Sequence, residues 1–154
     1  MNNNQYNNYY QEMVNLLNQY LSNIAVLIVN LYNYHWNVVG PDFFPMHEKL
    51  QEYYEELTEI YDEVAERIKQ LGGYPVASLN QYEGMAQIKT VASKDYYSKE
   101  IITNLIRDFE YMVNITNQLI EIADQANDEV SIVLLGDYGA FFQKQLWMLN
   151  ANQL

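Results

Sequence analysis

From Met13 to Leu31 the apolar positions recur at helical spacing: Met13, Leu16, Leu17, Tyr20, Leu21, Ile24, Leu27, Ile28 and Leu31. That stripe predicts an amphipathic helix. No Gly or Pro interrupts before Gly40-Pro41, so the helix should run for roughly 30 residues, about 45 Å. A second helix is predicted to open near Pro45, a favoured first-turn residue, and to stop at Gly72-Gly73. Its expected core stripe is Leu50, Tyr54, Leu57, Tyr61, Val64 and Ile68. The stretch 74–92, with Pro75 and Gly84, reads as a crossover containing one short helical turn. Ser93 is placed to cap a third helix with Ile101, Ile102, Leu105, Ile106, Phe109, Met112, Val113, Leu119 and Ile120 inside. Asp128 is placed to cap a fourth, carrying Val130, Leu134, Leu135, Phe142, Leu146 and Leu149.

Residues 1–11 hold only Asn, Gln and Tyr after Met1, without a charge, and read as a short polar tail. Gly136 and Gly139 interrupt the last helix at about 1 kcal/mol each relative to Ala, which points to close packing there. No segment alternates with period two over strand length, and no internal repeat is visible. The expectation is an all-α chain, a single domain over 1–154. One long middle connection among four helices matches the crossover form of the four-helix bundle rather than the up-down-up-down form.

Composition narrows the chemistry. At 154 residues, 49% apolar and with three prolines, the chain is long enough to bury a helical core and is not of disordered type. There are no cysteines, which excludes a disulfide framework, a thiolate metal site and a Cys nucleophile together. The first charged residue is Glu12, so no basic region precedes an apolar run and no secretory signal is expected. The longest apolar stretch, Ile24–Val29, is too short for a bilayer. A cytoplasmic protein without a membrane partner is the expectation. The net charge is −12, and none of the eight basic residues precedes Lys49. Such a surface repels nucleic acid. It concentrates cations, or serves solubility alone.

The only two histidines, His35 and His47, flank the first interhelical turn. Asp62 and Glu66 stand four apart, on one helix face, where two carboxylates can share a cation. They also belong to a run of eight acids from Glu48 to Glu66, the pattern of a solvated face. On a continuous helix His47 and Asp62 are fifteen residues, about 22 Å, apart. Metal–ligand bonds of roughly 2 Å cannot bridge that gap. Either there are two unrelated half-sites, or a two-fold partner brings the histidines to the carboxylates. The second arrangement would be a mixed imidazole and carboxylate shell suited to Fe(II) or Zn(II). No Glu-x-x-His motif is present, since Tyr32 and Phe44 precede the histidines at that spacing, which argues against a di-iron site inside one bundle.

The string His35-Trp36-Asn37-Val38-Val39-Gly40-Pro41, then Phe43-Phe44, His47-Glu48-Lys49, Asp62-Glu63-Val64-Ala65-Glu66-Arg67, Gly72-Gly73 and Pro75 resembles the Dps family of mini-ferritins, the DNA-binding proteins from starved cells. The resemblance implies a ferritin-like four-helix bundle with a short extra helix in its crossover, and a hollow dodecamer. It implies ferroxidase sites at two-fold interfaces, with His35 and His47 from one subunit and Asp62 and Glu66 from its mate. In that scheme His35, Asp62 and Glu66 hold the tighter iron and His47 serves the second, with zinc or manganese as competitors. The implied function is oxidation of Fe(II) by hydrogen peroxide or dioxygen and storage of Fe(III). Trp36 resembles a family tryptophan assigned to electron transfer, with interface packing as the other reading; for Trp147 packing is the expectation. Two departures stand out: Gln51 occupies a position where some relatives carry an acid, and Val133 one where the family often has a pore Asp. Asp124, Asp128 and Glu129 remain as candidate pore acids. DNA compaction, which gives the family its name, uses Lys-rich tails in many members, and 1–11 has none, so DNA binding is not expected. A metal-free helical interaction module is the remaining alternative.

Overall fold

Helix α1 (Asn3–Asn37) leads, without a separate tail, into β1 (Val38–Val39), α2 (Phe43–Gln70), α3 (Leu79–Met85), β2 (Tyr96–Tyr97), α4 (Ser98–Gln125) and α5 (Glu129–Asn152) in a computed structural model that describes residues 3–153. Of the described residues 81% are helical. The four long helices form the bundle, α1 lying along α2 and α4 along α5, while α3 sits in the crossover against α1. This is the expected ferritin-like arrangement.

The predicted tail is corrected from residue 3 onward; residues 1 and 2 lie outside the described part. Asn has weak helix propensity, and what recruits this segment is Tyr9. Its ring is buried, and its hydroxyl donates to Asp128 Oδ2 at 2.7 Å across the α4–α5 turn. The apolar window of α1 is long enough to cross a bilayer, yet 61% of it is buried in the bundle, as befits a core helix.

The core stripe of α2 is Leu50, Tyr53, Leu57, Ile60, Val64 and Ile68. Tyr53 and Ile60 replace the expected Tyr54 and Tyr61, which are half-buried at the stripe's edge. Its steps of three and four residues keep the stripe in phase with 3.6 residues per turn. The α2 stop works as predicted in kind: Gly72 takes φ +85° and Gly73 N–H donates to Ile68 O at 3.0 Å. At Gly73 a Cβ would lie 2.5 Å from Val14 Cγ1, so the glycine also lets α1 approach.

Helix α4, the third helix of the sequence reading, starts from Tyr97 rather than Ser93 and without a side-chain cap, because 96–97 pairs in parallel with Val38–Val39 and so stays extended. Ile106, Val113 and Ile120 are half-buried, while Asp108, Thr116 and Ala123 lie inside. Asp108 is the costly one: burial pushes its carboxyl up while Arg107 Nε, 2.9 Å away, pulls it down, and Oδ2 has no partner among the described residues. Asp128 does cap α5, accepting from Ser131 N at 3.1 Å. In α5 Val130 is exposed, and Tyr138 and Gln145 are buried instead. Of the two α5 glycines only Gly139 is closely packed, against Thr116; a Cβ at Gly136 would meet nothing.

The crossover holds its place through asparagines of α1. Asn18 donates to Tyr74 O and accepts from Val76 N. Asn23 accepts from the N–H groups of Gln87 and Ile88. Asn30 donates to Lys89 O and accepts from Val91 N. An irregular segment against a helix would otherwise leave backbone groups unpaired at about 1–3 kcal/mol each.

Candidate metal centre

Both histidines sit where α1 ends and α2 begins, and the corner between them is tight. Gly40 takes φ +101°, Phe43 N–H donates to Gly40 O at 3.1 Å, and a Cβ on Gly40 would lie 3.0 Å from the Tyr97 ring. The β1–β2 pair ties this corner to the start of α4.

His35 is buried and His47 half-buried. Each Nδ1 lies 2.8 Å from the other residue's backbone carbonyl oxygen. A carbonyl only accepts, so each Nδ1 carries the proton and donates. In the neutral ring that leaves both Nε2 atoms with a bare lone pair, the form a metal requires. An N–H donated to a carbonyl also fixes ring orientation and raises ligand basicity. The two rings stack with centroids 3.6 Å apart. Phe43 lies on the far side of His47 at 5.1 Å, and Tyr54 meets His35 edge-on at 5.3 Å. The corner holds two imidazoles in fixed orientation, each with its Nε2 left without a hydrogen bond among the described residues.

Asp62 and Glu66 lie farther along α2. Both are exposed, and neither has a hydrogen bond or ion pair among the described residues. Within one chain they do not meet the histidines, and no group of three or more His, Asp or Glu able to hold a metal forms among the described residues. The neighbouring acid Glu63 is engaged, accepting from Tyr138 Oη at 2.9 Å.

Trp36 is 70% exposed, its ring 5.4 Å from that of Tyr32. Trp147 is 69% exposed and so packs against nothing much within the chain. Gln51 is exposed and donates to Glu55. Asp124, Glu129 and Val133 are on the surface.

Asp128, a candidate pore acid, is engaged within the chain. Its Oδ1 pairs with Arg67 Nη2 at 2.7 Å, and its Oδ2 accepts from Tyr9 and from Ser131 Oγ. Burial alone would push its carboxyl up, but the bonds from Ser131, Tyr9 and Arg67 outweigh burial and hold it below 3.8. A carboxylate so engaged has no oxygen left for a passing cation. Spacing alone does not show this engagement, because Tyr9 and Arg67 are far from Asp128 in sequence.

Residues 14–153 match the family model for the ferritin-like domain. The DNA protection during starvation protein of Helicobacter pylori is 31% identical over 137 residues, covering 89% of this chain and 95% of the relative. That of Brevibacillus brevis is 38% identical over 136 residues, covering 88% and 91%. The Dps protein of Vibrio cholerae, described as a member of a broad superfamily of ferritin-like diiron-carboxylate proteins, superposes with a TM-score of 0.92 at 33% identity, over 96% of this chain and 92% of that one. The bundle and its crossover thus define a ferritin-like protein. Within that class the chain belongs to the Dps family.

Proposed function

We propose that this chain is a ferroxidase subunit that takes Fe(II) and hydrogen peroxide as substrates and stores Fe(III) mineral inside a shell of twelve copies. The observation that carries the reading is the histidine pair, whose Nδ1 protons are tied to backbone carbonyls so that two Nε2 atoms are free as ligands. Nitrogen ligands of this kind suit iron when carboxylates complete the shell. Asp62 and Glu66 are free carboxylates four residues apart on one face of α2, and helix geometry lets them reach a histidine pair only on a second copy related by a two-fold axis. His35 with Asp62 and Glu66 of the second copy holds one iron, and His47 serves the other, with zinc or manganese able to compete.

An apolar groove between α1, α2 and α3 favours association. Val26, Val29, Tyr61 and Leu79 line it, with Val29 and Leu79 exposed. In the reaction two Fe(II) ions give one electron each, the O–O bond of peroxide breaks, and two protons complete two water molecules, water bound by the Fe(III) product releasing those protons as it hydrolyses to mineral. Two irons held together let peroxide receive both electrons without releasing hydroxyl radical. DNA is then protected by removal of the reagents that damage it, and the −12 charge opposes direct contact with the duplex.

Sizing the protein while titrating Fe(II) against peroxide and following ferric absorbance tests the reading. Ferric product should form in an assembly roughly an order of magnitude heavier than the chain, as a closed shell of many copies requires. A monomer that oxidises iron at full rate would overturn it.

A further inference from the structure

A cavity of about 420 Å³ lies between the crossover and α4 and shares no residue with the histidine corner. Its walls are residues 87–91 on one side and Arg107, Asp108 and Tyr111 on the other. The crossover wall is fixed, since Asn23 and Asn30 of α1 hold its backbone. The α4 wall carries Asp108, which is 3% exposed, its Oδ1 taken by Arg107 Nε and its Oδ2 without a partner among the described residues. A buried carboxylate oxygen without a donor is costly, and folded proteins seldom keep one. Two cations share the cavity with it. Arg107 has an exposed side chain whose Nη2 donates to nothing among the described residues. Lys89 Nζ donates to Ala86 O at 2.7 Å and meets no carboxylate there. Thr90, on the crossover wall, has its hydroxyl free among the described residues.

These groups select what can bind. A simple anion would suit Arg107 and Lys89 but would set its charge against Asp108. A metal ion or a simple amine would suit Asp108 but would face the two cations. A molecule carrying an ammonium beside a carboxylate answers both demands. We propose that this cavity binds a free α-amino acid with an apolar side chain, its ammonium donating to Asp108 Oδ2 and its carboxylate accepting from Arg107 and Lys89. Guanidinium and carboxylate pair through two parallel hydrogen bonds, which suits the free edge of Arg107. The buried Ile88 and the half-buried Val91 and Tyr111 give the ligand's side chain an apolar wall. A ligand held this way ties the crossover to α4, so it stabilises the folded chain. The site is independent of the ferroxidase reading.

The test uses the assembled, iron-free full chain and L-leucine, followed by titration calorimetry and thermal melting. Leucine should bind once per subunit and raise the melting temperature. Isocaproate, which is leucine without the ammonium, and isoamylamine, which is leucine without the carboxylate, should each bind about tenfold more weakly or worse, as the loss of a charge-assisted pair implies. Asp108→Asn should weaken leucine by a similar factor and leave isocaproate no weaker than before, since the repelling charge is gone. Arg107→Gln, on an exposed side chain, should weaken leucine and isocaproate alike, and Lys144→Gln, outside the cavity, should bind leucine as wild type does. Isocaproate binding as tightly as leucine would mean an anion site, and isoamylamine doing so a cation site; either overturns the proposal. No heat from leucine at millimolar concentration, or leucine binding undiminished in Arg107→Gln, overturns it too. Should Asp108→Asn fail to fold, Arg107→Gln and the two analogues still decide.

Discussion

The two ends of α2 treat the proposed metal ligands in opposite ways. At the first, His47 is locked: its Nδ1 is tied to a backbone carbonyl, its ring is sandwiched between His35 and Phe43, and the corner is pinned by Gly40 and the short β pair. At the other, Asp62 and Glu66 extend into solvent with no partner, although Arg67 beside them is held by Asp128 and Ser131. The difference follows from desolvation. A neutral imidazole can be packed among aromatic rings and oriented in advance, whereas two carboxylates four residues apart would repel if buried without a cation. A cation-binding site can therefore be half preformed in a chain, with its charged half left in water until the cation and a second chain arrive.

Breaking that contrast gives the largest expected effect. His35→Ala and Glu66→Ala should each abolish most iron oxidation when every subunit carries the change. Co-expressing the two mutants should restore activity, because in a mixed dimer one site receives intact histidines from one chain and intact carboxylates from the other. With random mixing about half the dimers are mixed, so roughly a quarter of sites are whole, by the two-fold logic of isologous contacts. Ferric absorbance on confirmed mixed shells checks this; no recovery there would mean that the two ends do not meet across an interface.

The locked neighbour can be released next. Arg67→Ala removes the partner of a largely buried Asp128 and should lower stability by about 3 kcal/mol in denaturant melts. Asp62→Ala, one turn away and free, should change it by less than about 0.5 kcal/mol. Equal losses would show that freedom at Asp62 is only apparent.

Acid sharpens the same point more gently. Asp128 is held below its ordinary value of 3.8, so its contribution is complete above that value and is lost as the pH falls through the lower, folded-state value. Urea midpoints of the wild type should fall more steeply below about pH 4 than those of Asp128→Asn, whose side chain does not titrate. Parallel curves would place the acid-sensitive group elsewhere.

The smallest expected effect is none. Magnesium-free, iron-free protein should not retard plasmid DNA near physiological salt, since no cation precedes Lys49 and the free carboxylates add to the repulsion. A shifted band would show that the acidic face is masked in the assembly.

The sequence by itself determined the periodic features. Four helices, the crossover, the Gly72-Gly73 stop and the Asp128 cap were legible because each rests on neighbours within a few residues, where spacing and backbone preference decide. Helix rise alone also separated His47 from Asp62. Only the tertiary structure decided what depends on distant partners. Residues 3–11 joined α1 because Tyr9 reaches Asp128. Ser93 lost the α4 cap because Tyr96–Tyr97 pairs with Val38–Val39. Tyr53 rather than Tyr54 faced the core, freeing Tyr54 to lie between Tyr32 and His35. The proton positions on His35 and His47 were likewise invisible in the sequence, since they depend on two carbonyl oxygens brought within 2.8 Å only when the corner folds.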